Sequence, residues 1–509
     1  MSLSDIAAGV ASKLPSVNKP VQRLNFKDKL KWTGLILVLF FLLGAIPIWG
    51  VDSSAIAHFE FLEIVFGSSF GSLLTLGIGP IVTASIILQL MVGSKIINWN
   101  LQSKEGKAKF MGTQKILAIL FCIFEAIAYV VAGAIPPAAP GLSIMSIVIL
   151  QLALGGFLVM FMDEVVTKWG FGSGISLFIA GGVSKTMFIR LLAPPVAGLT
   201  EGGLIASFLS SLGLGQPLGA AIVMLPVIST LVVFTIVVFA QSMRIEIPVA
   251  FSLPFGKFAS RRWPLKFIYT SNIPVILTAA VLANIQIVGR LLHGRGITFL
   301  GEFDASTGQA ISGFMYYITP HSSMSMLVIT VLGGVLALVS ALAASSILKK
   351  WVFRITTLGA VVGMSIGYFL VSSSTTLPQI TGIDIFSSII YLLVMVIGSM
   401  IFSIFWVSTS GMDASSVAEQ FRSSSIAIPG FRQDPRIVER VLQRYIPALS
   451  VMGGAFVGLL AGFADLTNAL GTGTGILLTV MIVYQLYEQI AQQHMEDMHP
   501  ALRKFMGGN

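Results

Sequence analysis

The chain of 509 residues is 55% hydrophobic and only 10% charged, with 31 Lys and Arg against 22 Asp and Glu, a net charge of +9 and a mean hydropathy of +0.89. Soluble chains carry roughly 25% charged residues, so a water-soluble enzyme of one to three domains is excluded. Apolar runs of about 20 residues that do not alternate are solvated by lipid as helices, which satisfy their own backbone groups, and not as barrel strands. The single cysteine, Cys122, lies inside such a run, so a disulfide framework is impossible and a buried, inert thiol is its expected role.

A polar, basic segment, residues 1–29, opens the chain; the first apolar run begins near Leu30 and is long enough to span, so no cleavable signal peptide is expected. Spans are expected near Leu30 to Trp49, Leu74 to Val92, Thr113 to Ile135, Ser143 to Met162, Gly174 to Leu192 and Ala220 to Ala240. Others follow near Ile273 to Leu292, Met326 to Ser346, Ile355 to Val371, Ser387 to Val407, Ile446 to Phe463 and Ala469 to Tyr487. That makes about 12 crossings and puts both termini on one side. Of the 31 bases only Lys185, Arg190, Arg290 and Arg295 lie in spans or on the far side, a bias that places the N terminus in the cytosol under the positive-inside rule. The acids do not share it: Asp52, Glu60, Glu63, Glu201, Glu302, Asp304, Asp384 and Asp465 fall outside.

Between the first two expected spans, Ala55 to Ser72 is too short and too polar to cross, yet it carries Ile56, Phe59, Phe61, Leu62, Ile64, Val65, Phe66 and Phe70. It reads equally as an interfacial helix on the outer surface or as a re-entrant piece packed inside the bundle. Gly67, Gly71, Gly77, Gly79 and Pro80 follow, suited to a hinge or to close helix packing.

Two cytosolic loops exceed what topology needs. Gln241 to Asn272 carries Arg244, Lys257, Arg261, Arg262 and Lys266, and Ser408 to Tyr445 carries Arg422, Arg432, Arg436, Arg440 and Arg444. Helix connections in bundles usually take roughly 2 to 8 residues; long basic loops such as these suit anionic lipid headgroups or RNA phosphates.

Sites of covalent chemistry are lacking. The histidines His58, His293, His321, His494 and His499 are scattered without metal-ligand spacing, and Gly471-Thr472-Gly473-Thr474-Gly475 lacks the lysine of a phosphate loop and reads as a tight external turn. Neither a cofactor nor a metal is expected. Glu125 is the acid that stands well inside an apolar span, so it should face the bundle interior and find donors there; Thr83 and Asn284 lie at comparable depth. The residues alone leave three readings open: a polar cluster gluing helices, a proton or ion site of a secondary solute transporter, or a polar latch that opens.

Particular strings resemble the SecY family, the central subunit of the protein-conducting channel. They are Leu76-Gly77-Ile78-Gly79-Pro80-Ile81-Val82-Thr83-Ala84-Ser85-Ile86; Pro264-Leu265-Lys266 with Ser271-Asn272-Ile273-Pro274-Val275-Ile276-Leu277; Phe405-Trp406-Val407-Ser408-Thr409-Ser410-Gly411-Met412-Asp413 with Ser416-Val417-Ala418-Glu419-Gln420; and Pro429-Gly430-Phe431-Arg432. The resemblance covers nearly the whole chain, and Ser271-Asn272-Ile273-Pro274 with the tail around Tyr484 to Gln489 is most similar to the archaeal and eukaryotic branch.

The resemblance implies an all-α polytopic membrane protein, a SecY-like bundle of two halves around a central pore. Residues 30–193 would form the N-terminal half with a plug at 55–72, residues 194–487 the C-terminal half, and residues 488–509 a cytosolic tail. Phe59, Phe61, Leu62, Ile64, Val65 and Phe66 would belong to the plug. Ile78, Val82, Ile175, Ile179, Ile276 and Leu478 match an apolar pore ring, which can dewet against ions and still yield around a passing chain. Thr83, Glu125 and Asn284 match the polar cluster of a lateral gate, and Arg244, Arg261, Arg262 and Arg432 match ribosome-docking bases. Implied partners are the ribosome, signal sequences and nascent chains, and small SecE-like and Sec-beta-like membrane subunits, in the cell membrane with both termini cytosolic. The stretch 326–384 departs from the family's usual ten spans by an apparent extra hairpin.

Overall fold

The computed structural model describes residues 15–498 apart from 23, 52–67, 95, 98, 100–102, 132–133, 140, 195–201, 253–257, 295, 304–309, 321–357, 360, 369–380, 424–425 and 428–434. The expected plug residues Phe59, Phe61, Leu62, Ile64, Val65 and Phe66, the base Arg432 and most of the expected hairpin 326–384 lie outside the described residues.

In chain order the helices are α1 (Phe26–Leu43), α2 (Gly79–Gly93), α3 (Lys104–Val131), α4 (Leu142–Trp169), α5 (Gly174–Leu192), α6 (Leu204–Gly213) and α7 (Pro217–Ser242). Strands β1 (Arg244–Ser252) and β2 (Phe258–Lys266) come next, then α8 (Ile273–His293), α9 (Gly313–Ile318), α10 (Gly382–Ser410), α11 (Ala414–Ser423), β3 (Ile426–Ala427), α12 (Pro435–Leu466) and α13 (Gly473–Met498). Among the described residues, eight helices are long and apolar enough to cross a membrane, in α3, α4, α5, α7, α8, α10, α12 and α13. The expected count of about 12 is thus reached only in part here.

Several boundaries differ from expectation for local reasons. The span expected from Leu74 starts as a helix only at Gly79, because Leu74 to Ile78 run through successive turns with Gly77 at φ 51°, and Pro80 then opens α2 in the first turn, where its missing N–H is harmless. The first helix runs Phe26–Leu43 and not Leu30 to Trp49, its end pulled inward by Gly44. Helix α13 continues to Met498, past the expected end at Tyr487.

Helix α10 shows how lipid and protein divide one helix. Ile389, Leu393, Ile397, Ile401 and Ile404 are exposed at helical spacing, while Tyr391, Met395, Ser399 and Ser403 are buried against α12. Contact is close enough that a Cβ at Gly458 would stand 2.6 Å from Met395 O and one at Gly454 2.8 Å from Ser399 O. Small residues let two backbones approach where no hydrophobic force drives helices together in lipid. A capping box of Thr381 and Asp384 starts α10, and Gly411 at φ 71° ends it.

The two long basic loops were expected as separate excursions; they form one body. β1 and β2 make an antiparallel hairpin pairing Arg244 with Lys266, and β3, from the second loop, adds to β1 through Ala250 and Phe251. This body has its own apolar core of Ile247, Leu265, Val417, Phe421, Val438 and Leu442, with Trp263 edge-on to Phe421 at 4.7 Å.

Candidate functional site

Glu125 is buried on α3, and Thr83 on α2 donates through Oγ1 to Glu125 Oε1 at 3.0 Å. Asn284 on α8 donates through Nδ2 to Thr83 Oγ1 at 3.2 Å. The three polar residues singled out at one depth therefore form a chain, with Thr83 as donor to the acid and acceptor from the amide. It ties α2 and α3, which pack on each other, to α8 on the far side. The second carboxylate oxygen, Glu125 Oε2, has no partner among the described residues. Because a buried polar group is costly without a partner, this chain favours keeping α8 beside α2 and α3: without Asn284, Thr83 and Glu125 are left to each other.

Ile78 immediately precedes α2, Val82 is on it, Ile175 and Ile179 are on α5, Ile276 on α8 and Leu478 on α13. Five are buried, Ile175 is half-buried against the rest, and all join one apolar cluster at the meeting of these helices. Val82, Ile175, Ile179, Ile276 and Leu478 each fall within the first two turns of their helix, and Ile78 stands just before α2. Two of these helix starts are held by carboxylates. Asp163 Oδ1 of α4 accepts from Ile175 N at 2.9 Å at the start of α5, and Asp465 Oδ1 of α12 accepts from Thr474 N at 2.9 Å at the start of α13. Asp465, expected on the outer side, is buried, and the glycine-rich run that follows it begins with a tight turn, with Thr472 at φ 60°. Sequence reasoning missed both acids as helix caps; in each case the signal was an Asp facing the Ser-Gly or Thr-Gly-Thr start of the next apolar run.

On the hairpin body, Arg244 and Arg262 are exposed, and Arg262 pairs with Glu246 at 2.8 Å. That contact raises the already high pKa of the Arg262 guanidinium. Arg422, Arg436, Arg440 and Arg444 are exposed on the same body. Its base is anchored to the bundle: Tyr269 Oη donates to Met412 O at 2.8 Å, with burial and nearby Asp413 pushing the phenol up to about 12, so it stays a neutral donor. Lys266 pairs with Glu488 and lies 5.9 Å from the Tyr484 ring of α13.

A helical bundle with a large apolar core, a polar chain joining α2, α3 and α8 and a body carrying exposed bases matches a known family. The family model for SecY covers residues 72–487, and that for the plug domain of Sec61p covers residues 38–71. The chain belongs to the SecY family. It is 42% identical to the protein translocase subunit SecY of Methanothermobacter thermautotrophicus over 97% of both chains. Its structure is similar to one described as the structure of a protein conducting channel (TM-score 0.76, 39% identity, 97% of this chain and 99% of that one). It is also similar to Sec61 in the canine ribosome-channel complex from the endoplasmic reticulum (TM-score 0.74, 39% identity, 97% and 99% covered). As a SecY-family protein the chain is a multi-pass membrane protein and a channel subunit.

Proposed function

We propose that this chain forms the pore of a protein translocase, moving polypeptides across the membrane and releasing apolar segments sideways into lipid between α2 with α3 and α8. The observation that carries this reading is the Glu125, Thr83 and Asn284 chain across that seam. A signal sequence wedging between the helices exchanges these hydrogen bonds for apolar contact with lipid, worth about 0.3 to 0.6 kcal/mol per large aliphatic residue. The exchange sets a threshold of hydrophobicity for entry.

In this reading Ile78, Val82, Ile175, Ile179, Ile276 and Leu478 form the ring that seals the pore, residues 55–72 are the plug, and residues 30–193 and 194–487 are the two halves around it. The exposed bases Arg244 and Arg262, with Arg261 and Arg432, dock the ribosome, whose phosphates suit a dense positive face. Ribosomes occupy the canine channel complex to which the chain is similar. Both termini lie in the cytosol of a cell-membrane protein, and small SecE-like and Sec-beta-like subunits complete the assembly. The relatives named above are channel and translocase proteins, and none favours the solute-transporter reading of Glu125.

The test is photocrosslinking of ribosome-stalled nascent chains bearing a signal sequence, with a probe at Ile78 or Ile276. Adducts appearing first at gate positions and then at ring positions as the chain lengthens support the pore. Absence of adducts with ribosomes bound overturns it.

A further inference from the structure

Lys115 on α3 and Lys168 on α4 flank one carboxylate, Glu164 of α4, at 3.3 and 2.7 Å, and none of the three side chains is more than 20% exposed. An i, i+4 ion pair is ordinary on a helix, and so is a lysine in its last turn. The further bonds of this cluster are not ordinary. Lys115 Nζ donates to Pro15 O at 2.8 Å and Lys168 Nζ to Val17 O at 2.5 Å, Val17 N donates to Glu164 Oε2 at 3.3 Å, and Trp169 Nε1 donates to Asn18 O at 2.8 Å. Each of these bonds is made to main chain. In an extended strand one residue presents its N–H and C=O to one side and its neighbours present theirs to the other. Pro15 and Val17 meet the lysines and the carboxylate in that alternation, and Ser16 between them is exposed.

The same segment is fastened a second time where it enters α1. Lys29 Nζ donates to Gln493 Oε1 at 2.9 Å, and Gln493 Nε2 donates to Leu24 O at 3.4 Å. Gln493 is buried on the part of α13 that runs past the expected end at Tyr487. Helix α1 itself leans on the junction of α4 and α5: Trp32 lies 5.5 Å from Trp169, Phe26 5.5 Å from Phe171, and Thr33 Oγ1 accepts from Phe171 N at 3.0 Å. Helix α3 packs on α2 and α4, whereas α13 packs on α5, α7 and α12. The opening segment therefore runs from the wall that carries Glu125 to a helix of the C-terminal half.

We propose that Lys115, Glu164, Lys168 and Trp169 form a binding site for extended polypeptide main chain, filled by residues 15–18 of the same chain, and that the strap so held restrains the seam. A carboxylate between two ammonium groups offers an acceptor flanked by donors, as a strand edge does, so it holds N–H and C=O groups and is indifferent to side chains. Hydrogen bonds to charged groups are the stronger class, and they keep the segment in place although most of it is exposed. One end of the strap is on α3 and α4 and the other on α13. Opening the seam carries α3 away from the half to which α13 belongs, so the strap must give before the seam widens. It acts in the same sense as the Glu125, Thr83 and Asn284 chain, from the cytosolic face.

The restraint rests on the channel reading and the binding site does not, so the experiment has two readouts. Channels with their partner subunits are reconstituted in liposomes with a nitroxide on Ser16→Cys, an exposed position whose side chain the site does not use; Cys122 is buried and stays unlabelled. The label should be held in the otherwise unchanged chain and with Val17→Ala, which keeps the main chain. Val17→Pro deletes the N–H that Glu164 accepts and should raise the ratio of mobile to held label about tenfold, the worth of one hydrogen bond to a charged group. The same channels, without label, are then presented with ribosome-bound chains whose signal sequences differ in leucine count. Val17→Pro frees the α3 end and Gln493→Ala the α13 end, and each should lower the threshold for insertion by about two leucines, since one hydrogen bond is worth about two aliphatic contacts with lipid. A label equally mobile, or equally held, in Val17→Ala and Val17→Pro overturns the main-chain site. Thresholds at the wild-type value in both Val17→Pro and Gln493→Ala overturn the restraint. Wild-type channels that insert no signal at any leucine count sink the channel reading and the restraint with it, and leave the main-chain site standing or falling on the label.

Discussion

The hydroxyl of Tyr391 on α10 donates to Asp465 Oδ2 on α12 at 2.8 Å, deep in the bundle. Thr474 gives Asp465 two further hydrogen bonds, one from its backbone N–H and one from its hydroxyl. One carboxylate therefore locks α10 and α12 to the start of α13, four residues before Leu478. Asp465→Ala strands three donors at once and should cost roughly 3 kcal/mol or more of stability. Tyr391→Phe removes one bond along with its donor and should cost about 1 kcal/mol. Thermal unfolding in detergent orders the two, and an Asp465→Ala protein that melts with wild type would show that the cap carries no weight.

At the gate, the middle residue should matter most. Thr83→Val keeps the shape but deletes the donor to Glu125 and the acceptor for Asn284. It leaves Glu125 without Thr83 in either state and the half-buried Asn284 without its acceptor in the closed state, so the channel should open more readily and accept signals of lower hydrophobicity. Asn284→Leu breaks one bond, about 1 kcal/mol, and should lower the threshold less. Because both act through Thr83, Asn284→Leu should add little on a Thr83→Val background. Single-channel recordings in planar bilayers measure this, and simple additivity would count against a shared latch.

The proposed pore ring predicts a separate phenotype. Ile276 and Ile179 are buried where α8 and α5 meet the rest of the cluster. If the proposed ring seals the pore by dewetting, Ile276→Ser or Ile179→Ser offers water a hydrogen bond there, so resting ion conductance should rise. Ile276→Val should keep the seal, since it removes one methyl and adds no polar atom. Equal leak from Ile276→Ser and Ile276→Val would point to helix packing as the sole role of this position.

The contrast between these sites shows what is legible in a membrane sequence. Glu125 could be found because a carboxylate in hydrocarbon is rare and must have partners, and depth alone then selected Thr83 and Asn284. Ile78 and Ile276 could not be found that way: an isoleucine in a span looks the same whether it faces lipid, a neighbouring helix or a pore, and only the resemblance of whole strings distinguished them. For Asp465 hydropathy sees only the end of an apolar run, and that its carboxylate turns inward to cap the next helix is not written in that pattern. The hairpin was legible in principle, since Ile245, Ile247, Val249 and Phe251 alternate in strand fashion. The pairing of β1 with β3 was not, because Phe251 and Ile426 meet across 175 residues of chain that no local pattern spans.

That pairing brings the two basic loops into one charged surface, and a salt titration can read it. Arg262 is fully exposed and already paired with Glu246, so an incoming phosphate competes with a carboxylate for the same guanidinium. Glu246→Gln removes the competitor and should tighten binding to ribosomes, whereas Arg262→Ala and Arg244→Ala should weaken it. Each lost phosphate contact should lower the slope of log affinity against log salt by about 0.7 to 0.9. The direction at Glu246 is the discriminating part: a surface that docked protein side chains by hydrogen bonding, and not phosphates by charge, would lose affinity with Glu246→Gln and keep a shallow slope throughout. Cosedimentation with ribosomes over a range of salt, with the full complex, measures both quantities, and tighter binding at Glu246→Gln together with an unaltered or steeper slope places Arg262 on phosphate.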